Sequence, residues 1–334
     1  MQAGKLPLDM LSELLSQIDV SDPRVVLGPK AGEDAALIDF GDTYLVAKTD
    51  PITFATDLIG WYLVQVNAND LAVMGATPRW LMATLLFPEG TPAAAVAGVF
   101  DQLSDACMQL GITLIGGHTE ITIDIPRPIA VGAMLGEVGK DRVVLTSGAM
   151  PGDSIILTKG IAVEGAALLA REASEALQRA GVPPDVIADA REFLFSPGIS
   201  VTRDAAIACE TVDVHAMHDP TEGGIATGLL EMATAANAGV MVQADLVRVL
   251  SECEAFCSAL GLDPLGLIAS GSLLAAVAPQ EAGVLVEALA REGIAAYEIG
   301  RFTDRADGLK LRTASGVHDL PTFDRDELAR FLGK

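Results

Sequence analysis

Apolar residues at helical spacing open the chain. Leu8, Leu11, Leu14, Leu15 and Ile18 follow Pro7, which suits a first helical position, so residues 7–19 are expected to form a short amphipathic helix. The pattern then shortens to strands over 35–38 and 43–48, around an Asp39-Phe40-Gly41-Asp42 turn. A helix is expected over 58–74, an apolar strand over 80–86 closed by Pro88-Glu89-Gly90, and a helix over 93–110 stopped by Gly111. Short strands over 113–115, 129–135 and 141–144 complete the first half. Gly148 to Asp153 reads as the domain boundary, giving domains at 1–148 and 149–334. Beyond it the pattern predicts a strand at 154–158, helices over 164–181, 184–193 and 200–209, a strand at 212–217 and a helix at 221–238. Strand, helix and strand then follow at 273–277, 280–292 and 295–301, with a charged helix over 323–334. Strands and helices mix without strict alternation, so the class is α+β in two domains.

Composition narrows the function. Half of the 334 residues are hydrophobic but only 4% are aromatic, so the cores are aliphatic. A net charge of −23 opposes nucleic acid and anionic membrane surfaces as partners. A nucleotide remains compatible where Mg²⁺ bridges carboxylates to phosphates. Four cysteines make no disulfide framework, and Cys253 and Cys257, one helical turn apart, read as two small buried residues. The opening residues carry no signal-peptide core and no apolar run reaches 18 residues, so a cytoplasmic location is expected.

Polar residues interrupt this apolar chain at a few places. Asn67, Asn69 and Asp70 sit within a helix that otherwise looks buried, where unpartnered polar groups are costly. Gly32-Glu33-Asp34, Lys48-Thr49-Asp50, Gly116-Gly117-His118-Thr119-Glu120 and His218-Asp219-Pro220-Thr221-Glu222-Gly223-Gly224 are acidic or glycine-rich breaks between apolar segments. Asp34, Asp50, Asp70 and Asp219 form the strongest set, suited to Mg²⁺ and a polyphosphate; for each alone, ordinary turn and capping chemistry competes. Gly116-Gly117 lets backbone approach a ligand closely. Glu120 suits a hard cation better than His118 does. Asp219 or Thr221 can cap the helix entered through Gly223-Gly224. Lys159-Gly160 follows a strand like a shortened phosphate loop, but the Walker and Rossmann patterns are both absent.

Taken together, these loops resemble the aminoimidazole-ribonucleotide (AIR) synthetase superfamily. Its members include that purine enzyme, formylglycinamidine synthetase, thiamine-monophosphate kinase, selenophosphate synthetase and the hydrogenase maturation protein HypE. The family's Gly-Asp-Asp-Ala-Ala loop stands here as Gly32 to Ala36, and its Thr-Thr-Asp strand end as Lys48-Thr49-Asp50. Its Asn-Asp-Leu-Ala-x-Met-Gly-Ala-x-Pro signature spans Asn69 to Pro78, its Gly-Gly-x-Thr loop Gly116 to Thr119, and its Asp-x-Thr-x-Gly-Gly turn Asp219 to Gly224. The HypE branch is the most similar in flavour.

The resemblance implies a PurM-like fold. The N-terminal sheet would pair with that of a second protomer into an intersubunit barrel, and the C-terminal domain would be an α/β sandwich. It implies a homodimer that binds ATP and Mg²⁺ and transfers phosphoryl to a carbonyl, amide or phosphate oxygen of a small-molecule or protein-bound acceptor. Asp34, Asp50, Asp70, Glu120 and Asp219 would hold metal. Asn67, Asn69, Gly116, Gly117, Thr119, Lys159, Thr221, Gly223 and Gly224 would line the nucleotide, and His118 and Glu120 are the catalytic candidates. A maturation factor is the expected protein partner. HypE acts on a cysteine at the end of its own tail, whereas the last cysteine here is Cys257, so self-dehydration is not expected. A silent nucleotide-binding scaffold is then the alternative, and a thiamine-monophosphate kinase comes third because His118 replaces that enzyme's acid.

Overall fold

The structure, a computed structural model, describes residues 4–333. It divides into two compact units. The N-terminal unit comprises residues 20–28 and 34–143; the C-terminal unit comprises 4–19, 29–33 and 144–333. The expected division at 148/149 thus needs correcting for the opening segment, which groups with the second half. Its helix α1 (Leu8–Ser16) has no buried residue. Lys5 supplies an attachment: its backbone N–H donates to Glu222 at 3.0 Å and its Nζ lies 3.4 Å from Glu231.

The N-terminal unit is one six-stranded sheet with two helices. Its strands are β1 (Val25–Leu27), β2 (Ala36–Asp39), β3 (Thr43–Ile52), β4 (Thr77–Pro88), β5 (Thr113–Thr122) and β6 (Ile129–Gly139). They lie in the order β1-β2-β3-β6-β4-β5, antiparallel except for the parallel pair β4·β5. Alternation sets the faces. Leu81, Ala83, Leu85 and Phe87 of β4 are buried, as are Ala130, Met134 and Val138 of β6. Between them on β4, Met82 remains 40% exposed. Helix α2 (Ile59–Ala72) is buried at every position and packs on α3 (Ala93–Leu110) and the sheet. The two helices approach so closely that a Cβ on Gly60 would stand 2.5 Å from the Val99 carbonyl oxygen. Residues 141–144 form no strand. The chain turns after β6, with Arg142 N–H donating to Gly139 O at 2.9 Å.

The C-terminal unit is a seven-stranded sheet in the order β13-β12-β9-β11-β7-β10-β8. These are β7 (Ser154–Thr158), β8 (Val214–His218), β9 (Gly239–Gln243), β10 (Leu274–Val277), β11 (Ala296–Thr303), β12 (Leu309–Thr313) and β13 (Gly316–Asp319). Only β12·β9 is parallel. Helices α4 (Val163–Glu172), α5 (Ser174–Arg179), α6 (Pro184–Arg191), α7 (Thr202–Thr211), α8 (Gly224–Ala236), α9 (Ser251–Leu260), α10 (Pro279–Arg291) and α11 (Glu327–Leu332) surround it. Ile225, Leu229 and Met232 of α8 meet Ile155, Leu157, Val240, Leu274 and Phe302 in one core cluster. Both β7 and β10 are buried at every position, so both their faces are covered. Burying each such Leu or Ile contributes about 1.5–3 kcal/mol.

Two predicted helices change. The helix expected at 164–181 breaks at Ala173, which leaves helical geometry at φ −125° and ψ 20°. The helix expected from 221 starts at Gly224, because Gly223 and Gly224 both take positive φ (83° and 66°). Strands β1, β9, β12 and β13 were not predicted.

Candidate functional site

The polar break in α2 is explained by what lies beside it. Residues 48 and 50, two apart on β3, share a face. Asn67 clamps the Asp50 backbone: its Oδ1 accepts the Asp50 N–H at 2.9 Å and its Nδ2 donates to Asp50 O at 3.3 Å and to Leu63 O at 2.9 Å. Gly132, opposite Asp50 on β6, makes room for this amide, since a Cβ there would fall 2.5 Å from Asn67 Nδ2. One turn on, Asp70 accepts from Lys48 Nζ at 3.0 Å, and Asp50 Oδ2 stands 3.6 Å from the same ammonium. Thr49, facing the other way, donates to Gly132 O at 2.7 Å. Asp34, Asn67, Asn69 and Asp70 are all buried. Burial alone would lower the Lys48 pKa, but Asp70, Asp50 and Asp34 outweigh it and hold the ammonium charged. Carboxylates around one cationic position, two of them buried, are oxygen donors of the kind Mg²⁺ takes. The role of Lys48 was missed in the sequence, although its spacing from Asp50 already put the two on one face.

Strand β5 carries the second motif, and here the structure corrects the expectation of a glycine loop. Gly116 and Gly117 lie inside β5, paired with Met82 and Ala83. Gly117 has φ +150°, and a Cβ on it would sit 1.9 Å from Ala83 O, so glycine is needed for close approach of strands. His118 and Glu120 are two apart on one face, their side chains 3.2 Å apart and both exposed; Thr119 is exposed as well. Two strands, β6 and β4, separate β5 from β3. At about 4.8 Å per strand, Glu120 is roughly 14 Å across the sheet from Asp50 and does not share an ion with it inside one chain.

In the C-terminal unit Asp219 is buried after β8, and Thr221 O accepts the Gly224 N–H at 3.0 Å. The N-cap of α8 is Gly223, which has no side chain to cap with. Its own N–H is met by Asp326, a residue the sequence did not single out. One of its oxygens accepts the Gly223 N–H at 2.7 Å; the other accepts Leu328 N–H at 2.7 Å and caps α11. The Gly223 amide, expected to meet phosphate, is therefore already bonded to the chain's own carboxylate. Burial pushes the Asp326 carboxyl up to about 7 against three backbone hydrogen bonds, with Glu222 adding to the rise. Glu231 behaves oppositely. Burial would raise it, but Lys5 and His218, whose Nε2 is 3.0 Å away, bring it down to about 2.

Lys159 also departs from expectation. Its Nζ is buried and donates to the Ser200 and Gly198 carbonyls, 3.3 Å from Asp204 Oδ2. It holds the interior together and does not present a charge to a phosphate. Burial lowers its pKa, opposed by Asp204.

Glu164, in the first turn of α4, is buried, and its Oε2 has no hydrogen-bond partner. Burial lifts its pKa to about 7, eased by Ser270 and reinforced by Asp326 and Glu222. The folded state therefore holds this proton more tightly than the unfolded chain. Its contribution is fully present below the ordinary value of 4.5 and is lost as pH rises to about 7. The loss is roughly 3 kcal/mol at 1.36 kcal/mol per unit. Urea unfolding at pH 5 and pH 8.5 should show Glu164→Gln close to wild type at the lower pH and more stable at the higher. An unchanged difference between the two would refute the shift.

The four cysteines are free; Cys107, Cys253 and Cys257 are buried. Cys253 and Cys257 lie 4.0 Å apart on α9 and pack as small core residues.

Residues 32–138 match the AIR synthase related protein N-terminal domain, and residues 150–311 match its C-terminal domain. The chain belongs to the AIR synthase related family. Its fold is a mixed α+β, two-domain PurM-like fold. Among family relatives, a carbamoyl dehydratase HypE from Rhodobacter capsulatus is 28% identical over 335 residues, covering 94% of this chain and 91% of the relative. A HypE structure in complex with ATP superposes with a TM-score of 0.74 at 23% identity, covering 98% of each chain. A HypE in complex with HypF gives 0.75 at 23% identity, covering 94% of this chain and 98% of that one. Thiamine-monophosphate kinase from Aquifex aeolicus gives 0.69 at 16% identity, over 91% and 95%. The likeness to these solved structures is one of fold. Among the described residues no helix is long and apolar enough to cross a membrane.

Proposed function

We propose that this chain is an ATP-dependent enzyme of the HypE type, which activates a carbonyl, amide or phosphate oxygen by phosphoryl transfer during hydrogenase maturation. The observation that carries this is the set of Asp34, Asp50 and Asp70 facing Lys48, with Asp34 and Asp70 buried and Asn67 clamping the Asp50 backbone, in a family whose HypE members are named carbamoyl dehydratases and include an ATP complex. Asp34, Asp50 and Asp70 would hold Mg²⁺, which spreads the charge of the transferring phosphoryl group. Asn67 fixes the Asp50 backbone, so this carboxylate is positioned before any ligand arrives. The acceptor class follows the relatives: a carbamoyl group, carried by a protein or a small molecule. A HypF-type maturation factor is the partner the HypE–HypF complex suggests. Calorimetric titration with Mg-ATP, with EDTA as control, tests the reading. Micromolar binding that needs the metal supports it, and no binding at millimolar ATP sinks it in favour of a silent scaffold.

The same reading includes a homodimer. On the solvent side β5 has no neighbouring strand among the described residues, and Ile115 and Ile121 on it are 50% and 52% exposed. Unpaired apolar edges invite another strand. A second N-terminal sheet would cover this edge and Met82, and would enclose His118 and Glu120. Sedimentation should show a dimer at micromolar concentration and a monomer for Met82→Glu. A wild-type monomer, or a variant that still dimerises, would refute this interface.

A further inference from the structure

Lys48 stands where a cation is wanted. Its Nζ lies 3.0 Å from Asp70 Oδ1 and 3.6 Å from Asp50 Oδ2, and its side chain is only one-fifth exposed. β3 delivers Lys48 and Asp50 to one face, α2 delivers Asp70, and the Asn67 clamp fixes the backbone at Asp50. A divalent ion bound by these carboxylates would need oxygens at about 2.0–2.1 Å, and an oxygen already facing an ammonium is a weaker ligand. Lysine presents a compact point charge on a flexible stem, able to act as an ion that cannot diffuse away. The three carboxylates carry −3; with Lys48 the set carries −2, the charge one divalent ion balances.

We infer that Lys48 is a tethered cation: its ammonium holds one of the cation positions offered by Asp34, Asp50 and Asp70, so this chain recruits fewer divalent ions than its carboxylates alone would. The inference deepens the nucleotide-binding reading and rests on its assignment of these carboxylates as metal ligands. When a polyphosphate binds, Lys48 supplies positive charge from the protein itself, and the requirement for free divalent ion falls accordingly.

Mn²⁺ alone, without nucleotide, is the probe, counted by electron paramagnetic resonance on the full chain. Lys48→Met is expected to bind one more Mn²⁺ than wild type, or the same number at least about tenfold more tightly. Lys48→Arg, which keeps the charge, should titrate like wild type. Equal stoichiometry and affinity in wild type and Lys48→Met would overturn the inference. If Lys48→Met is too unstable to titrate at rest, its melting shift on Mn²⁺ addition reads the same property. A larger shift than wild type supports the tethered cation, and an equal or smaller one overturns it. Because no nucleotide is present, absence of ATP binding by wild type would remove the proposed function while Mn²⁺ still decides the role of Lys48.

Discussion

Asp204→Ala is expected to destabilise the C-terminal unit by about 3–5 kcal/mol, the largest effect of any single substitution considered for this protein. Asp204 is buried and faces Lys159 at 3.3 Å while accepting from Thr158 Oγ1 at 2.7 Å. Thr158 Oγ1 in turn accepts the Leu273 N–H at 3.1 Å. Removing the carboxylate strands an ammonium in the interior with only carbonyl oxygens beside it. The group would then be under pressure to lose its proton, in the direction burial already pushes it. Asp204→Asn keeps an acceptor for Thr158 and should cost less. Chemical denaturation of both variants checks this; a loss below about 1 kcal/mol in the alanine variant would show that the pair is not load-sharing in the fold.

Asp70→Asn is expected to weaken Mg-ATP binding by at least about 30-fold, the 2 kcal/mol lower end for truncating one member of a buried charge pair. The fold should survive, since asparagine retains an acceptor for Lys48 and Asp50 still lies 3.6 Å from it. Asp50→Asn should behave similarly, because the Asn67 clamp grips the backbone of residue 50 and leaves its carboxylate to the ligand. Calorimetry reports the affinity, and melting temperature separates lost binding from lost structure. A change of less than about threefold, near 0.6 kcal/mol, would remove Asp70 from the metal site.

Local patterning exposed much of the fold. The helix Ala93–Leu110 has its bounds written in Pro92 before it and Gly111 after it, the latter at φ +67° as a helix stop requires. Strand Ser154–Thr158 is a short apolar run between breakers. β12 was hidden because lysine and arginine mix into it, and β9 because it pairs only with β11 and β12, far along the chain; β13 has the adjoining β12 as its neighbour in the sheet. The polar break at Asn67, Asn69 and Asp70 was visible because amides and a carboxylate in a buried helix demand partners. The contrary fate of Gly117, Lys159 and Gly223 was not. Each depends on a residue brought in by tertiary folding: Ala83, Asp204 and Asp326 respectively. Asp326 reaches Gly223 across 103 positions, a distance no local pattern spans.

The buried thiols give each unit its own clock. Cys107 belongs to the N-terminal unit, and burial pushes its thiol up to about 11; Cys253 and Cys257 belong to the C-terminal unit, where the contact with Cys257 and then burial hold Cys253 well above its ordinary value. A thiol reagent at neutral pH reaches these sulfurs only when their surroundings open, so alkylation rates followed site by site by mass spectrometry time the opening of either half separately. A ligand that tightens one unit alone would slow one set of adducts and leave the other untouched, without any label having been introduced.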